Sequence, residues 1–353
     1  MIYLDSAATY PVLPCAREAF ASAPFGNPSS EHEAGRAARA ALEDARARIA
    51  RCVGADADEV YFTSGATEAC NWAVDALNQA TGYVMASQLE HHAVSEPVLT
   101  LEGVGWGTVM GRKKGSTAWI QMLANNETGE IFNMLERQTD GDLIFTDATA
   151  AVGHIPVDFH ALDADYMAFG SQKFGGIPGI GVLVKKHGAP LYPMIEGGGQ
   201  ERGMRAGTES VALARAMAAA LEWQCELIAA TQIKLASLKG LLKQKLSEIG
   251  GVLFNEAPNR PHMPHILNVS FDGVDGHALA HLLSERHGVM VSAGAACASG
   301  AQKPSHVLMA MYGDPLRAAH AIRISLSHEN TMEECEKAAD AIAECVEILR
   351  SVS

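Results

Sequence analysis

Short apolar segments alternate with helical ones between residues 59 and 183, and this alternation restricts the fold more than any other feature of the sequence. Strand-like runs occur at 59–62, 83–86, 118–123, 143–146 and 166–169. Helical stretches separate some of these runs, for example His92 to Leu101. Alternation of this kind predicts a mostly parallel sheet with helices on its faces. We therefore expect an α/β fold.

Polar residues follow several of these runs, where each predicted strand ends. Sheets of this type bind ligands beyond the carboxyl ends of their strands. Polar residues with purely structural roles would not keep to one end, so their placement predicts a single site. The residues concerned are Ser64, Thr67, His91, Asn126, Asp147 and Lys173.

Lys173 and Asp147 are the candidates for covalent chemistry and for binding an aromatic cofactor. Lys173 follows an apolar strand, and desolvation there favours a neutral amine that can form a Schiff base with an aldehyde. Asp147 ends an apolar run, and a buried carboxylate needs a partner. A pyridinium N–H is one such partner. A salt bridge between the two side chains is the alternative.

Two turns at strand ends suit a phosphate and an aromatic ring. The TSGATE turn at 63–68 leads from a strand into a helix, whose first backbone amides can bind phosphate with the hydroxyls of Ser64 and Thr67. An ordinary strand-to-helix turn without a ligand is the alternative. His91 begins the next helical stretch and could stack on a cofactor or transfer protons. A polar first turn would explain it equally well.

Two residues of the C-terminal part suit a substrate. Cys297 lies in SAGAACASG, a loop of small residues on which a cysteine can move towards a bound molecule. Arg323 interrupts an apolar strand, and a buried arginine needs a carboxylate partner. The substrate or an internal salt bridge could supply that carboxylate. The other six cysteines are interpreted as structural.

Size and charge limit the remaining possibilities. The 353 residues favour two domains, linked by a long helical region at 209–249, and another helix is predicted from Ser29 to Cys52 with Ser29 or Ser30 as its cap. The formal charge of -14 argues against nucleic-acid and anionic-membrane partners. The lack of a signal segment, of a membrane span and of CxxC pairs indicates a cytosolic protein with reduced thiols.

No metal site is predicted. His277 and His281, with Glu285 next along the same face, have the spacing of metal ligands on a helix. No third ligand set or HExxH pattern accompanies them, so they are interpreted as a solvated helix face.

With these residues collected, the chain resembles the cysteine desulfurases of the NifS/IscS type, within the class-V aminotransferase family. Each motif alone is weak, but their order and spacing together are specific, and they cover nearly the whole chain. The motifs are YLDSAATYP, FGNPSS, FTSGATE, LEHHAV, NNETG, TDATAAVG, GSQK, GGGQERGMRAGT, ILNVSF, SAGAACASG and IRISLS.

The resemblance implies the type I fold of pyridoxal-phosphate (PLP) enzymes and a homodimer with shared active sites. The large domain, expected at 13–245, would contain a mostly parallel seven-stranded sheet, and residues 1–12 and 246–353 would form a smaller α+β domain. The resemblance implies that Lys173 binds PLP covalently, that Asp147 pairs with the pyridine nitrogen, and that His91 stacks on the ring and assists proton transfer. Further residues implied to hold the cofactor are Ala66, Thr67, Ser171, Gln172 and Asn126, with Thr208 reaching the phosphate of the other subunit. For the substrate, the resemblance implies that Asn126 and Arg323 bind the carboxylate and that Cys297 accepts the sulfur.

The activity implied is conversion of L-cysteine to L-alanine, with the sulfur left as a persulfide on Cys297 for an acceptor protein in sulfur transfer or iron–sulfur cluster assembly. Departures from the family pattern are Ala150, where a glutamine is usual, and Gln172, where a histidine is usual. These departures keep two alternatives open. One is a related type I enzyme: a selenocysteine lyase, a carbon–sulfur lyase or an aminotransferase. The other is a PLP-binding sulfur-transfer adaptor without turnover.

Overall fold

The computed structural model describes residues 1–101, 116–294 and 304–352 of the chain. Within these residues the strands are β1 (Ile2–Tyr3), β2 (Val60–Thr63), β3 (Tyr83–Ala86), β4 (Thr117–Ile120), β5 (Leu143–Asp147), β6 (Tyr166–Gly170), β7 (Gly181–Lys185), β8 (Val252–Phe254), β9 (Ile266–Phe271), β10 (Val289–Met290) and β11 (Ala321–Ser325). The helices are α1 (Pro14–Ala21), α2 (Glu33–Cys52), α3 (Ala66–Ala80), α4 (His92–Thr100), α5 (Phe159–Leu162), α6 (Val211–Leu246), α7 (Gly276–His287), α8 (His306–Tyr312), α9 (Pro315–Ala319) and α10 (Met332–Val352).

The chain divides into two compact units, each assembled from separate stretches of sequence. The large unit consists of Pro11–Ala124 and Phe132–Ile228. The small unit consists of Met1–Tyr10, Asn125–Ile131 and Ala229–Ser353. Residues of α6 contribute to both units. The domain limits expected from the sequence, 13–245 with 1–12 and 246–353, remain a prediction.

The large unit contains a six-stranded sheet in the order β2-β7-β6-β5-β4-β3. Strands β3 to β6 pair in parallel, whereas β7 is antiparallel to both of its neighbours. The predicted mostly parallel sheet with flanking helices is therefore confirmed, with six strands among the described residues where the resemblance implies seven. Every residue of β6 is buried, as expected for a strand covered on both faces.

Helix α3 covers the centre of this sheet and contacts β5, β6 and β7. Trp72 is the largest fully buried side chain of the helix, and its Nε1 donates to the carbonyl oxygen of Tyr192 at 2.7 Å. Because the indole N–H has a partner, the ring can be buried without an unsatisfied donor. Burial of one such side chain stabilises the fold by about 3 kcal/mol. This packing fixes the helix, and with it the position of its first turn.

The small unit is built on an antiparallel sheet in the order β11-β9-β8, while β1 pairs in parallel with β10. The N-terminal segment is tied to this sheet by a bridge between Asp5 and Ser325 and by a hydrogen bond from Ser6 Oγ to the carbonyl of Leu326 at 2.5 Å. The core of the unit is apolar and includes Leu4, Leu267, Phe271, Ile324 and Ile342.

Helix α2 begins four residues later than the sequence predicts. Its N-cap is His32, whose Nδ1 accepts the amide N–H of Gly35 at 3.2 Å, and neither Ser29 nor Ser30 caps it. The reason is a preceding turn in which Asn27 accepts the amides of Ser29 and Ser30. Because both serines belong to this turn, the helix begins only after them. No helix among the described residues has the length and apolar character required to cross a bilayer.

Candidate active site

The first turn of α3 lies at the carboxyl end of β2 and is shaped to receive an anion. Its N-cap is Gly65, and no side chain caps the amides of the turn. Uncapped amides at a helix N-terminus attract phosphate. Thr67 and Ser64 are both exposed beside these amides. Ala66 supplies one of the amides, so the predicted phosphate residues Ala66 and Thr67 lie together here.

Glycines on the adjacent strands allow this helix end to lie against the sheet. A Cβ atom at Gly181 would lie 2.4 Å from the carbonyl carbon of Gly65 and 2.7 Å from the nitrogen of Ala66. A Cβ at Gly170 would lie 3.0 Å from Gln172 Oε1 and 3.3 Å from the nitrogen of Ala66. Gln172 therefore points towards the same helix end, which places a further hydrogen-bonding side chain beside the phosphate-binding candidates.

Asp147 ends β5 as a buried carboxylate, with 5% of its surface exposed. Its Oδ1 accepts the amide N–H of Thr149 at 2.9 Å. No lysine or arginine in the described part of the chain lies within ion-pair distance of it, so the alternative salt bridge with Lys173 is not formed. A buried carboxylate without a cation retains capacity for another donor. The hydroxyl of Thr149 is also buried without a partner.

Two further buried acidic groups surround Asp147. Burial and the negative charges of Asp147 and Glu90 raise the pKa of the Cys70 thiol, which also hydrogen-bonds to Asp147. Glu90 is fully buried, and its Oε1 accepts the amide of Met122 at 2.7 Å. Burial, together with the charge of Asp147, raises the pKa of Glu90 to about 8. At neutral pH the cluster therefore carries fewer negative charges than its two carboxyl groups and one thiol could supply.

Lys173 lies in a 3-10 turn, Ser171–Lys173, at the carboxyl end of β6. Its side chain is half-buried, and its backbone carbonyl accepts a hydrogen bond from His154 Nε2 at 2.8 Å. Since a carbonyl oxygen can only accept, the proton must be on Nε2. Burial, with the charge of Lys173, lowers the pKa of His154 to about 4, so the imidazole is neutral at physiological pH. The hydroxyl of Ser171 is fully buried without a partner.

His91 is the N-cap of α4 and is exposed. Its Nδ1 accepts the amide N–H of Ala93 at 3.0 Å, which fixes the orientation of the ring. The neutral ring then carries its proton on Nε2. His91 therefore forms the polar first turn of α4, whereas its stacking on a cofactor and its role in proton transfer stay predictions.

The small unit contains the two predicted carboxylate-binding residues. The guanidinium of Arg323 contacts Asp5 Oδ1 through Nη2 at 2.7 Å and donates from Nη1 to the carbonyl of Asn126 at 2.9 Å. The internal salt bridge considered for Arg323 is therefore present. Its Nε is buried without a partner in the described chain, so the guanidinium retains a donor. The neighbouring Asn125 shapes the turn by accepting two backbone amides through Oδ1.

The predicted residues thus fall into three groups. The large unit holds Lys173, Asp147, His91, Ala66, Thr67, Ser171, Gln172 and Thr208, and the small unit holds Asn126 and Arg323. Thr208 is exposed at the end of a glycine-rich loop. Cys297 lies outside the described residues.

Sequence reasoning missed three residues, namely His154, Glu90 and Asp5. Glu90 and Asp5 lie within the quoted motifs LEHHAV and YLDSAATYP, where an acidic residue beside apolar ones was the available signal. His154 directly follows TDATAAVG and offers a comparable signal.

The family model of the class-V aminotransferases matches residues 2–109 and 114–337.

The chain belongs to the class-V aminotransferase family.

Its relatives in this family include a cysteine desulfurase IscS of Dictyoglomus turgidum, 35% identical over 381 residues that cover 100% of this chain and 96% of the relative. An IscS-like cysteine desulfurase of Mycobacterium tuberculosis is 36% identical, and the alignment covers 97% of this chain and 95% of the relative. A solved NifS-like protein superposes with a TM-score of 0.89 at 30% identity, over 98% of this chain and 99% of the other. These matches confirm the resemblance drawn from the motifs.

Membership of the class-V aminotransferase family implies PLP, and the residues present fit it. A phosphate needs hydrogen-bond donors, which the first turn of α3 and the unpartnered hydroxyl of Ser171 provide. A protonated pyridine nitrogen needs a buried carboxylate without a cation, which Asp147 provides. An aldehyde carbon needs an amine, and Lys173 lies at the end of the strand next to β5. The class-V residues of the large unit are therefore chemically complementary to the cofactor.

Proposed function

We propose that this class-V protein is a PLP-dependent cysteine desulfurase that converts L-cysteine to L-alanine and transfers the sulfur atom to Cys297. One observation carries the cofactor part of the proposal: a buried carboxylate without a cation, Asp147, and an amine, Lys173, follow adjacent strands of one sheet. The full-length similarity to cysteine desulfurases supports the choice of substrate and reaction.

Each residue of the large unit has a separate task in this proposal. The α3 amides with Thr67, Ser171 and Gln172 would hold the phosphate. Asp147 would keep the pyridine nitrogen protonated, and the oriented ring of His91 would stack on the cofactor and move protons through Nε2. When bound, PLP supplies an electron sink for the negative charge that develops at the substrate's α-carbon.

Lys173 would remove the proton from the α-carbon once the substrate amine has displaced it. Its backbone is held by His154, which is neutral and cannot compete for the proton near pH 7. Arg323 and the side chain of Asn126 would bind the substrate carboxylate, with Asp5 holding the guanidinium in its orientation.

The sulfur step balances without an external oxidant. The carbon–sulfur bond of cysteine breaks, the Cys297 thiolate takes the sulfur atom, and the carbon skeleton gains protons to become alanine. One cysteine and one enzyme thiol therefore give one alanine and one persulfide. A thiolate is required for this attack, because the thiol is a poor nucleophile.

Assembly and cellular role complete the proposal. Thr208 would reach the phosphate bound to a second copy of the chain in a homodimer, and an acceptor protein in the cytoplasm would discharge the persulfide into sulfur-transfer or iron–sulfur chemistry. Ala150 cannot hydrogen-bond to the cofactor as the usual glutamine would, so we expect weaker cofactor retention than in relatives that have the glutamine.

The proposal is tested by recording the absorbance of the purified protein between about 300 and 550 nm before and after L-cysteine, with alanine and sulfide measured in the same tube. We expect a yellow protein whose spectrum changes and equal amounts of the two products in the presence of a reducing thiol. A yellow protein that ignores cysteine would move the function to another type I substrate. A spectral change without alanine would indicate an adaptor without turnover.

A cysteine variant separates the remaining rivals. C297A should keep the spectral response to cysteine and lose sulfide production, whereas C15A, which removes a partly exposed thiol elsewhere in the chain, should behave as the wild type. Unchanged turnover in C297A would favour a lyase or an aminotransferase over a desulfurase.

A further inference from the structure

Two cysteines of the large unit, remote in sequence, lie side by side in the structure. Cys52 is the last residue of α2, and Cys225 lies in the part of α6 that belongs to the large unit. Cys225 Sγ lies 3.8 Å from the carbonyl oxygen of Cys52, and the two thiols are within hydrogen-bonding reach of each other. Both residues are partly exposed.

Ion pairs hold the two helices together next to the thiols. Arg48 and Cys52 lie one turn apart on α2, and Glu222 and Cys225 lie one turn apart on α6. The guanidinium of Arg48 donates from Nε to Glu222 Oε2 at 2.9 Å, and Arg51 lies 3.6 Å from the same carboxylate. The contact between the thiols is therefore part of a fixed helix–helix interface, not a chance approach of two mobile side chains.

The thiol–thiol contact also makes one of the two cysteines more reactive. A hydrogen bond from Cys52 lowers the pKa of Cys225, against the opposing effects of burial, Glu222 and Glu226. The pKa of Cys52 is raised in turn, first by the hydrogen bond with Cys225 and then by burial. Cys225 is thus the thiolate that reacts first, and Cys52 is the neighbour that resolves the product.

We propose that Cys52 and Cys225 form a redox-active pair that a low-molecular-weight disulfide converts to an intramolecular disulfide bond. In the first step the Cys225 thiolate attacks the small disulfide, forming a mixed disulfide and releasing one thiolate. In the second step Cys52 attacks Cys225 Sγ and releases the other. The two protein thiols lose two electrons and two protons, and the small disulfide gains them as two thiols.

Other uses of the pair are less well supported. A structural zinc site takes four ligands, and the groups of possible ligands within the described residues do not include these cysteines. The pair is also separate from the proposed sulfur acceptor, Cys297, and the proposal does not depend on the protein being a desulfurase.

The disulfide would make the protein harder to unfold. The chain segment that it closes contains all six described strands of the large unit's sheet. Closing a long loop restricts the unfolded chain, so we expect the oxidised protein to unfold at a higher temperature than the reduced one. Reductant should reverse the change.

The test uses the full-length protein as purified, equilibrated without oxygen in mixtures of reduced and oxidised glutathione. Remaining thiols are alkylated under denaturing conditions, and non-reduced peptides are identified by mass spectrometry. We expect Cys52 and Cys225 to become protected together and to appear as one cross-linked peptide. If both cysteines stay alkylated at every glutathione ratio, or if either is linked elsewhere, the proposal is wrong.

Single variants assign the two roles. C52S should accumulate glutathione on Cys225, because no resolving thiol is present, and C225S should form no cross-link. C15S, the matched control at another partly exposed cysteine, should still form the cross-link. Faster reaction of Cys52 in C225S than of Cys225 in C52S would contradict the assigned order. The peptide analysis of the wild type decides the proposal even if a serine variant fails to fold.

Discussion

His154 donates a hydrogen bond from Nε2 to the backbone carbonyl oxygen of Lys173 at 2.8 Å. The bond connects the turn after β5 to the turn that carries the proposed catalytic amine. It requires a proton on Nε2, and the buried ring remains neutral because its pKa is lowered to about 4. The position of Lys173 therefore depends on a residue that has no direct part in the proposed chemistry.

His154 should make the stability of the protein fall in weak acid. Its pKa drops from 6.5 in the unfolded chain to about 4 in the fold, so the unfolded state binds the extra proton between these values. The unfolding free energy therefore does not depend on His154 above pH 6.5, and it falls by at most about 3 kcal/mol as the pH drops towards 4. Urea unfolding of wild type and H154Q at several pH values tests this.

Glutamine at position 154 can still donate to the Lys173 carbonyl but does not titrate in this range. The difference in unfolding free energy between wild type and H154Q should therefore change as the pH falls from 6.5 to 4. A constant difference would show that His154 does not titrate as described.

Glu90 should have the opposite effect, because it lowers stability as the pH rises from 4.5 to 8. Burial raises its pKa from 4.5 to about 8, so the folded state holds the proton more tightly than the unfolded state. The stabilisation is complete below pH 4.5 and is lost as the pH rises through 8. E90Q keeps an acceptor for the Met122 amide and stays neutral, so its stability relative to the wild type should rise between pH 4.5 and 8. Equal slopes of unfolding free energy against pH in the two proteins would contradict the buried, protonated carboxyl.

Gly181 should not tolerate a side chain. The added methyl group of G181A would lie 2.4 Å from the carbonyl carbon of Gly65, and backbone atoms cannot move aside easily. We expect a loss of about 2 kcal/mol in unfolding free energy and weaker cofactor binding, because the first turn of α3 must shift. Gly250 has no neighbour within 4 Å of its Cβ position, so G250A is the matched control and should change stability by less than about 0.5 kcal/mol. If G181A is less stable but binds as much cofactor as the wild type, the clash does not affect the phosphate site.

Arg323 should be sensitive to replacement by lysine. The planar guanidinium contacts Asp5 and the Asn126 carbonyl at the same time, and a single ammonium group cannot reproduce this fork. If Arg323 binds the substrate carboxylate, R323K should raise the KM for cysteine about tenfold or more and leave the cofactor spectrum unchanged. R317K, which alters another arginine of the small unit, should leave KM unchanged. A lower unfolding free energy of R323K with an unchanged KM would leave Arg323 with a structural role only.

Local patterns predicted much of the fold, because strand β3 at Tyr83–Ala86 and strand β5 at Leu143–Asp147 occur where apolar runs predict them. Apolar runs bounded by polar turns are a local signal, and so is a polar residue at the end of such a run. Asp147 and Lys173 were recognisable for this reason.

The remaining features depend on residues that are distant in sequence. Asp5 and Arg323 are 318 positions apart, and no local pattern pairs them. The Cys52–Cys225 contact is of the same kind, and both cysteines were interpreted as inert from the sequence. Residues 125–131 join the small unit through backbone hydrogen bonds, including Ile131 to Pro261 and Met263 to Gly129. Their position between two strands of the large unit gives no hint of this.

The discontinuous small unit also affects how the protein is made. Ser6 and Leu326, which hydrogen-bond in the folded unit, are 320 residues apart, so the first strand leaves the ribosome long before its partners exist. The large unit can bury most of its sheet while synthesis continues, whereas the apolar N-terminal strand must wait, exposed, until the last hundred residues have emerged. The small unit can fold only when the end of the chain has been made. Slow codons near the end of the message should therefore affect the yield of native protein more than slow codons near its start.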